Sequence, residues 1–352
     1  LADENAFLTG LEELLAHSLV RRVDLELVGP RFTMLETIHS YGRRMIVEQG
    51  MFDTYRQTHA DFFRRRARVL GPALRTSSEE QYRIWKLIET DIENYRSAVE
   101  YFTSTGHVLE IADLVGALDW FWTDGHFLSE GYRLLGAVID DPAVSADPEV
   151  EIRALAVTAM LADHFDDLDR MLPLIDRAVA LMRETNNTGI AAELLLLASG
   201  GLINQQQLNA ARAKSQETIE EATRSNNKWF VAAAEMNMSL IDTLEGDYNK
   251  ARAAAERAAD VFEQVGDTDN VVSALNAIAY TWLFEGEYAK AQAAYQEVLL
   301  QQADRLEDAY FFQHVCWGTA SVSAKTGRYE LSARIVGMAY AESKRSQIML
   351  RT

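Results

Sequence analysis

One cysteine, Cys316, is all that the 352 residues carry, so no disulfide can close within the chain and no thiolate cluster can hold a metal. A reducing compartment is expected, and with it a cytoplasmic location. Proline is nearly as scarce, with five in the chain and none after Pro173. Because that residue breaks helices, its absence from the second half predicts a helical one. Positive charge is in deficit: 34 Lys and Arg against 53 Asp and Glu leave −19, a sign that repels phosphate backbones and anionic lipid surfaces. This speaks against nucleic acid or membrane as a direct partner of the segment. No apolar run is long enough to cross a bilayer. The opening Leu1-Ala2-Asp3-Glu4-Asn5 has neither an initiator Met nor the basic start of a secretory signal, as expected of a segment cut from a longer protein.

Chemistry-bearing motifs are missing too. The chain has no Gly-x-x-x-x-Gly-Lys-Ser/Thr loop, so it is not expected to cradle a triphosphate itself, and no cofactor is expected within it. The seven histidines are scattered without the paired spacing of a metal site or a catalytic base. The acidic run Asp163-His164-Phe165-Asp166-Asp167-Leu168-Asp169 offers oxygens and an imidazole, but it lacks the spaced Asp and Gly of a calcium loop. A solvated turn accounts for it. The basic run Arg64-Arg65-Arg66 with Arg68 could touch a phosphate or a neighbouring domain; lying between Phe62-Phe63 and Val69-Leu70, it reads more simply as the wet face of an amphipathic helix.

What is present is a period. Glu245-Gly246-Asp247-Tyr248 with Ala251 is repeated 40 residues later as Glu285-Gly286-Glu287-Tyr288 with Ala291, and Thr326-Gly327-Arg328-Tyr329 follows 41 further on. Six anchors, Phe127, Leu168, Leu208, Tyr248, Tyr288 and Tyr329, recur at 40 or 41 residues. Before each turn the apolar residues recur at helical spacing, as in Val272 to Leu283, and they do so again after it, as in Ala291 to Leu299. Each unit therefore reads as a helical hairpin in which the turn glycine ends the first helix and an acid starts the second. A lone hairpin cannot bury its apolar face, so successive hairpins must stack.

Gly286, Tyr288, Ala291, Tyr295 and Val298, with Leu275 and Ala279 upstream, resemble the tetratricopeptide repeat, and the resemblance runs over roughly residues 110 to 352. The period exceeds the usual 34 residues, which implies helices about a turn longer. The resemblance implies an all-α fold, a tetratricopeptide-like α-solenoid of about six hairpins whose first helices line the concave side. Counting from the turns puts Ser273, Asn276, Tyr280, His314, Trp317 and Ser321 there. Aromatic faces mixed with Asn, His and Ser suit a small molecule or a peptide. Trp282 and Tyr295 are assigned to packing.

The opening has another texture. Phe7 to Leu19 is helical in pattern, and Val20 to Leu35 alternates and turns at Gly29-Pro30 like a β-hairpin. The runs Leu14-Leu15-Ala16-His17-Ser18-Leu19-Val20-Arg21-Arg22 and Arg31-Phe32-Thr33-Met34-Leu35-Glu36-Thr37-Ile38-His39-Ser40-Tyr41-Gly42 resemble the end of the winged-helix domain in STAND-type ATPases. Arg65-Arg66, Trp85, Glu93-Asn94-Tyr95-Arg96-Ser97-Ala98, Trp120-Phe121-Trp122 and Gly125-His126 resemble the joining region of the same family, in its LuxR-large and antibiotic-regulatory types. The resemblance implies a winged-helix remnant over 1–50, a helical joining region over 51–110 and repeats over 111–352, with an ATP-binding domain upstream in the same polypeptide. Relatives with a nucleotide-sensing Met-His-Asp have it where this chain has Met34-Leu35-Glu36, so the sensing histidine is replaced by Leu35.

The expected function is that of a sensor module in a transcriptional regulator and not of an enzyme. A small-molecule inducer, or a protein or peptide partner, binds the repeat surface and biases the upstream ATPase. Two rivals remain: a constitutive tetratricopeptide scaffold using the same groove, and an α/α-toroid glycosidase, which the uniform period and the lack of an evident acid pair oppose.

Overall fold

The computed structural model describes residues 4–25, 27–75, 78–123, 127–187, 189–301 and 309–346. It opens with α1 (Glu4–Ala16), the strands β1 (Val20–Leu25) and β2 (Gly29–Met34), and α2 (Glu36–Glu48). The helices α3 (Phe52–Ala73), α4 (Ser78–Thr90), α5 (Ile92–Thr105), α6 (Val108–Ala117), α7 (Asp119–Trp122), α8 (Leu128–Gly136) and α9 (Pro142–Ser145) follow. Regular pairs then come in order: α10 (Pro148–His164) with α11 (Leu168–Glu184), α12 (Ala191–Asn204) with α13 (Leu208–Arg224), and α14 (Lys228–Glu245) with α15 (Tyr248–Val265). Two more close the array, α16 (Thr268–Glu285) with α17 (Tyr288–Gln301) and α18 (Ala309–Lys325) with α19 (Tyr329–Ser346). The chain divides into two compact units, residues 1–181 and 182–352.

All six anchors fall where a second helix begins: Phe127 is the N-cap residue of α8, and the other five open α11, α13, α15, α17 and α19. The spacing is enforced by the backbone of the turn. Gly246, Gly286 and Gly327 take positive φ, and the register continues backward to Gln206 at φ 58° and Asp166 at φ 54°. After α16, the Gly286 N–H bonds to Leu283 O at 3.2 Å and the Glu287 N–H to Trp282 O at 2.9 Å, the paired bonds that close a helix on a left-handed residue. The far ends of the hairpins repeat likewise, with Asn186, Asn226 and Gly266 at positive φ.

In the second unit each helix packs on the next, and first helices also touch first helices, α12 on α14, α14 on α16 and α16 on α18. Second helices make no comparable contact among the described residues, so the stack bends with its first helices on the inner side. Polar rungs join the repeats in the same register. Arg212 of α13 donates to Asp242 at 2.7 Å and Glu245 at 2.6 Å on α14; Arg252 of α15, 40 residues on, donates to Glu285 of α16 at 2.7 Å and lies 3.6 Å over the Trp282 ring. Gln292 of α17 accepts from Arg328. Tyr295 is 1% exposed and its ring fills the space beside Gly318, where a Cβ would lie 2.2 Å from it. Trp282 and Tyr295 are packing residues, as the sequence predicts.

The first unit is built on α3, α5, α6 and α10. Ala60, Phe63 and Ala67 of α3 are buried, as are Tyr95 and Phe102 of α5 and Leu114 and Val115 of α6. At Gly71 the approach of α3 to α6 is so close that a Cβ would stand 1.7 Å from the carbonyl oxygen of Ala117. Before this core the picture changes. Of the described residues up to Gly50 only Val20 is buried. The two strands pair antiparallel, Val20 with Met34 through Leu25 with Gly29, so the chain reverses between Leu25 and Gly29, and the expected turn at Gly29-Pro30 is in fact the start of β2. Leu27 at φ 70° and Gly29 at φ 84° make the reversal, and Pro30, which has no N–H to donate, sits at the beginning of its strand.

Candidate functional site

The inner surface of the second unit can be assembled residue by residue. Two helical turns of α16 place Ser273, Asn276 and Tyr280 at three- and four-residue steps on one face. Ser273 is exposed and its hydroxyl donates to Asp269 O of its own helix at 3.1 Å. Asn276 is half-buried, and its Oδ1 has no hydrogen-bond partner. Tyr280 lies edge-on to Tyr295 with ring centroids 6.1 Å apart, and stacks on Phe284 at 6.3 Å. Burial raises the Tyr280 phenol above its ordinary value, so it stays a proton donor at neutral pH.

The neighbouring helix α18 carries Trp317, 39% exposed, and Ser321, whose hydroxyl donates to Trp317 O at 2.8 Å. Trp317 and Ser321 stand 41 residues after Asn276 and Tyr280, the same offset as Tyr329 from Tyr288, so the two sets occupy equivalent positions on adjacent first helices. His314 belongs to α18 as well, and its side chain lies outside the described residues, as does the pair Gly125-His126. Cys316, beside Trp317, is buried, and burial pushes its thiol up to about 11.

Sequence counting stopped short of three side chains in the same register. Leu240 and Leu244 of α14 precede Tyr280 and Phe284 by 40 residues each, and they are 46% and 49% exposed, with Phe284 at 58%. A single exposed apolar side chain is ordinary, but several in one register on neighbouring helices make a patch, and a patch is what marks a binding surface. Here an aliphatic and aromatic stripe runs from α14 to α16, and on α18 Ser321 continues the row of Tyr280 while the exposed Trp317 lies one turn away, in the row of Asn276. The 40-residue spacing would have found it.

The other sequence candidates resolve into structural roles. In the acidic run, Asp167 Oδ1 accepts the Arg170 N–H at 3.2 Å at the start of α11, and its Oδ2 accepts the Tyr132 hydroxyl at 2.7 Å. Among the described residues no group of three or more His, Cys, Asp or Glu could hold a metal ion. The basic run is not simply a solvated face. Arg64 and Arg68 of α3 and Arg153 of α10 donate to the wholly buried carboxylate of Asp113 at 3.1, 2.8 and 2.8 Å, while Arg66 reaches Asp91. No helix among those described is long and apolar enough to cross a membrane.

Residues 230–299 match the tetratricopeptide repeat model. Over 246 residues the chain is 26% identical to proteins named as HTH-type transcriptional regulators of Mycobacterium tuberculosis and Mycobacterium bovis. The alignment covers 67% of this chain and 27% of those proteins, so the chain spans about a quarter of the length of the curated relatives it matches. Among solved structures, the signal transduction ATPase with numerous domains (STAND) that has a tetratricopeptide repeat sensor, from Pyrococcus horikoshii, gives a TM-score of 0.56 at 11% identity over 96% of this chain and 59% of that one. RapI in its apo form gives 0.55 at 11% identity, over 84% of this chain and 98% of that one. BtubC from P. vanneervenii gives 0.51 at 13% identity, over 64% and 94%. The structural likenesses are of fold: a small β-hairpin near the N-terminus is followed in sequence by tetratricopeptide-like helical hairpins, and over two-thirds of its length the sequence is similar to that of regulators of transcription.

Proposed function

We propose that the chain is the sensing segment of a transcriptional regulator and works by binding: an inducer or a protein partner occupies the inner face of α14, α16 and α18 and biases an ATP-hydrolysing domain that precedes it. The observation that carries the reading is the exposure of Leu240, Leu244, Phe284 and Trp317 on consecutive first helices, with the half-buried Tyr280 stacked on Phe284. First helices 8–10 Å apart make such a stripe about 20 Å long, the span of roughly six extended residues, which favours a peptide segment over a compact small molecule. Asn276 and Tyr280 supply orienting polar groups beside it.

The regulator half of the proposal draws on the mycobacterial relatives and on the fold shared with the Pyrococcus sensor protein. Support also comes from the opening residues. Phe7, Leu8, Val23, Phe32, Met34 and Tyr41 are all between 40% and 61% exposed across α1, the hairpin and α2. Phe32 and Met34 share one face of the hairpin and Val23 lies on the other, and apolar exposure concentrated in so small a region marks an interaction surface. In this reading it is the remnant of a winged-helix domain and abuts the ATPase. Coupling then requires that the partner bind the two states of the ATPase with different affinity.

A peptide array probed with the chain tests the binding half. Peptides captured by the wild type should lose about tenfold in affinity, or roughly 1.4 kcal/mol, on Trp317→Ala and on Tyr280→Ala, with helicity by circular dichroism unchanged. Unaltered affinity in both variants removes this face from the function.

A further inference from the structure

The basic run of α3 is only partly absorbed by Asp113. On its other side Arg66 and, from β2, Arg31 converge on a single carboxylate, Asp91, in the turn between α4 and α5. Both contacts are long, 3.4 Å and 3.3 Å, and each uses one Nη2 atom. The Nε of both arginines is buried and has no hydrogen-bond partner, and the buried hydroxyl of Tyr95, which lies beside Arg66, finds no group to accept its proton. Tyr95 is 1% exposed, and its phenol feels both Arg66 and Asp91 at close range. Asp91 is also the N-cap residue of α5, yet its side chain accepts no capping bond.

Buried polar groups are paired as a rule, so three orphaned donors beside one another call for an acceptor. Charge narrows its nature. Two guanidiniums, which do not deprotonate, face one carboxylate and leave a net positive site. The nearby Glu93 does little to cancel it, its side chain being 79% exposed to water and turned to Arg96, which Glu130 engages as well. A water would answer the hydrogen bonds and leave the charge; a tetrahedral oxyanion answers both, and the start of α5 favours negative charge as well.

We propose that Arg31, Arg66 and Tyr95 form an oxyanion site for a phosphate group, free or carried on a larger molecule, at the junction of the β-hairpin with α3 and α5. Because Arg31 comes from the hairpin and the other donors from the helices, the bound anion ties the hairpin down. The site is independent of the repeat surface, and a negative result with Trp317→Ala leaves it standing.

The test is calorimetry of the 352-residue chain with inorganic phosphate and, in a second arm, adenosine triphosphate, at constant ionic strength set by chloride. Saturable binding is expected, with slowed amide exchange in β2. Tyr95→Phe removes only the hydroxyl, keeps the packing and should weaken binding about tenfold, and Arg66→Gln should weaken it further. Binding of the triphosphate alone assigns the phosphate to a larger molecule that carries it. No saturable binding of either ligand, or equal binding in Tyr95→Phe and wild type, overturns the site.

Discussion

Replacing Asp113 by Asn changes one atom and leaves three arginines without their counter-charge. The carboxylate is wholly buried in α6, and it accepts from Arg68 through both oxygens at 2.8 Å, from Arg153 at 2.8 Å and from Arg64 at 3.1 Å. An amide offers one acceptor oxygen in place of two and turns an N–H₂ donor toward a guanidinium. Breaking a buried ion pair costs about 3–5 kcal/mol. Arg68 is 46% exposed and recovers much of its share from water, while Arg64 and Arg153, at 26% and 28%, recover less. The lower end, about 3 kcal/mol, is therefore expected, and for a unit of this size it lowers the melting temperature by about 6–12 °C. Because the chain comprises two compact units, urea denaturation by circular dichroism should be paired with amide exchange in α6, which reports on the first of them. Arg153→Met should cost less in the Asp113→Asn background than in the wild type, because its partner has already gone. A loss below about 1 kcal/mol, or strictly additive costs, would refute the view that this carboxylate organises α3, α6 and α10.

Two further predictions concern the backbone. Gly71→Ala places a Cβ 1.7 Å from Ala117 O, a backbone atom that cannot rotate away, so α3 and α6 must part; a loss of about 3 kcal/mol or more is expected in thermal melts of the first unit. Gln206 and Gly286 hold the same left-handed turn position, so Gln206→Gly should stabilise and Gly286→Ala destabilise the second unit, each by about 1 kcal/mol in urea titrations. Effects of the same sign in those two variants would sink the equivalence of the turns.

The repeat was legible because the anchors mark a mechanical necessity: a hairpin of fixed length must turn at fixed intervals. Its earlier members were faint for an equally physical reason. At Asp166 and Gln206 the left-handed position is filled by residues that bear a Cβ, so the glycine signal is missing although the turn is there. The reversal at Leu25–Gly29 was misplaced because Gly-Pro reads as a turn, and only pairing with β1 shows it to be a strand start. Neither Asp113 nor Asp91 could be assigned a partner in advance. Their arginines arrive from 25 to 60 residues away, and Asp113 sits in a helix otherwise apolar in character. Of the surface proposed for binding, Ser273, Asn276, Tyr280, His314, Trp317 and Ser321 come from counting off the turns, whereas Leu240, Leu244 and Phe284 are added only by their exposure.

The rungs formed by Arg212 with Glu245 and Arg252 with Glu285 have the same form, and each is complete within one junction. A duplication or excision of one 40-residue block would therefore join ends that already fit, so descendants of such an array can lengthen or shorten by whole modules while the remaining joints keep their chemistry.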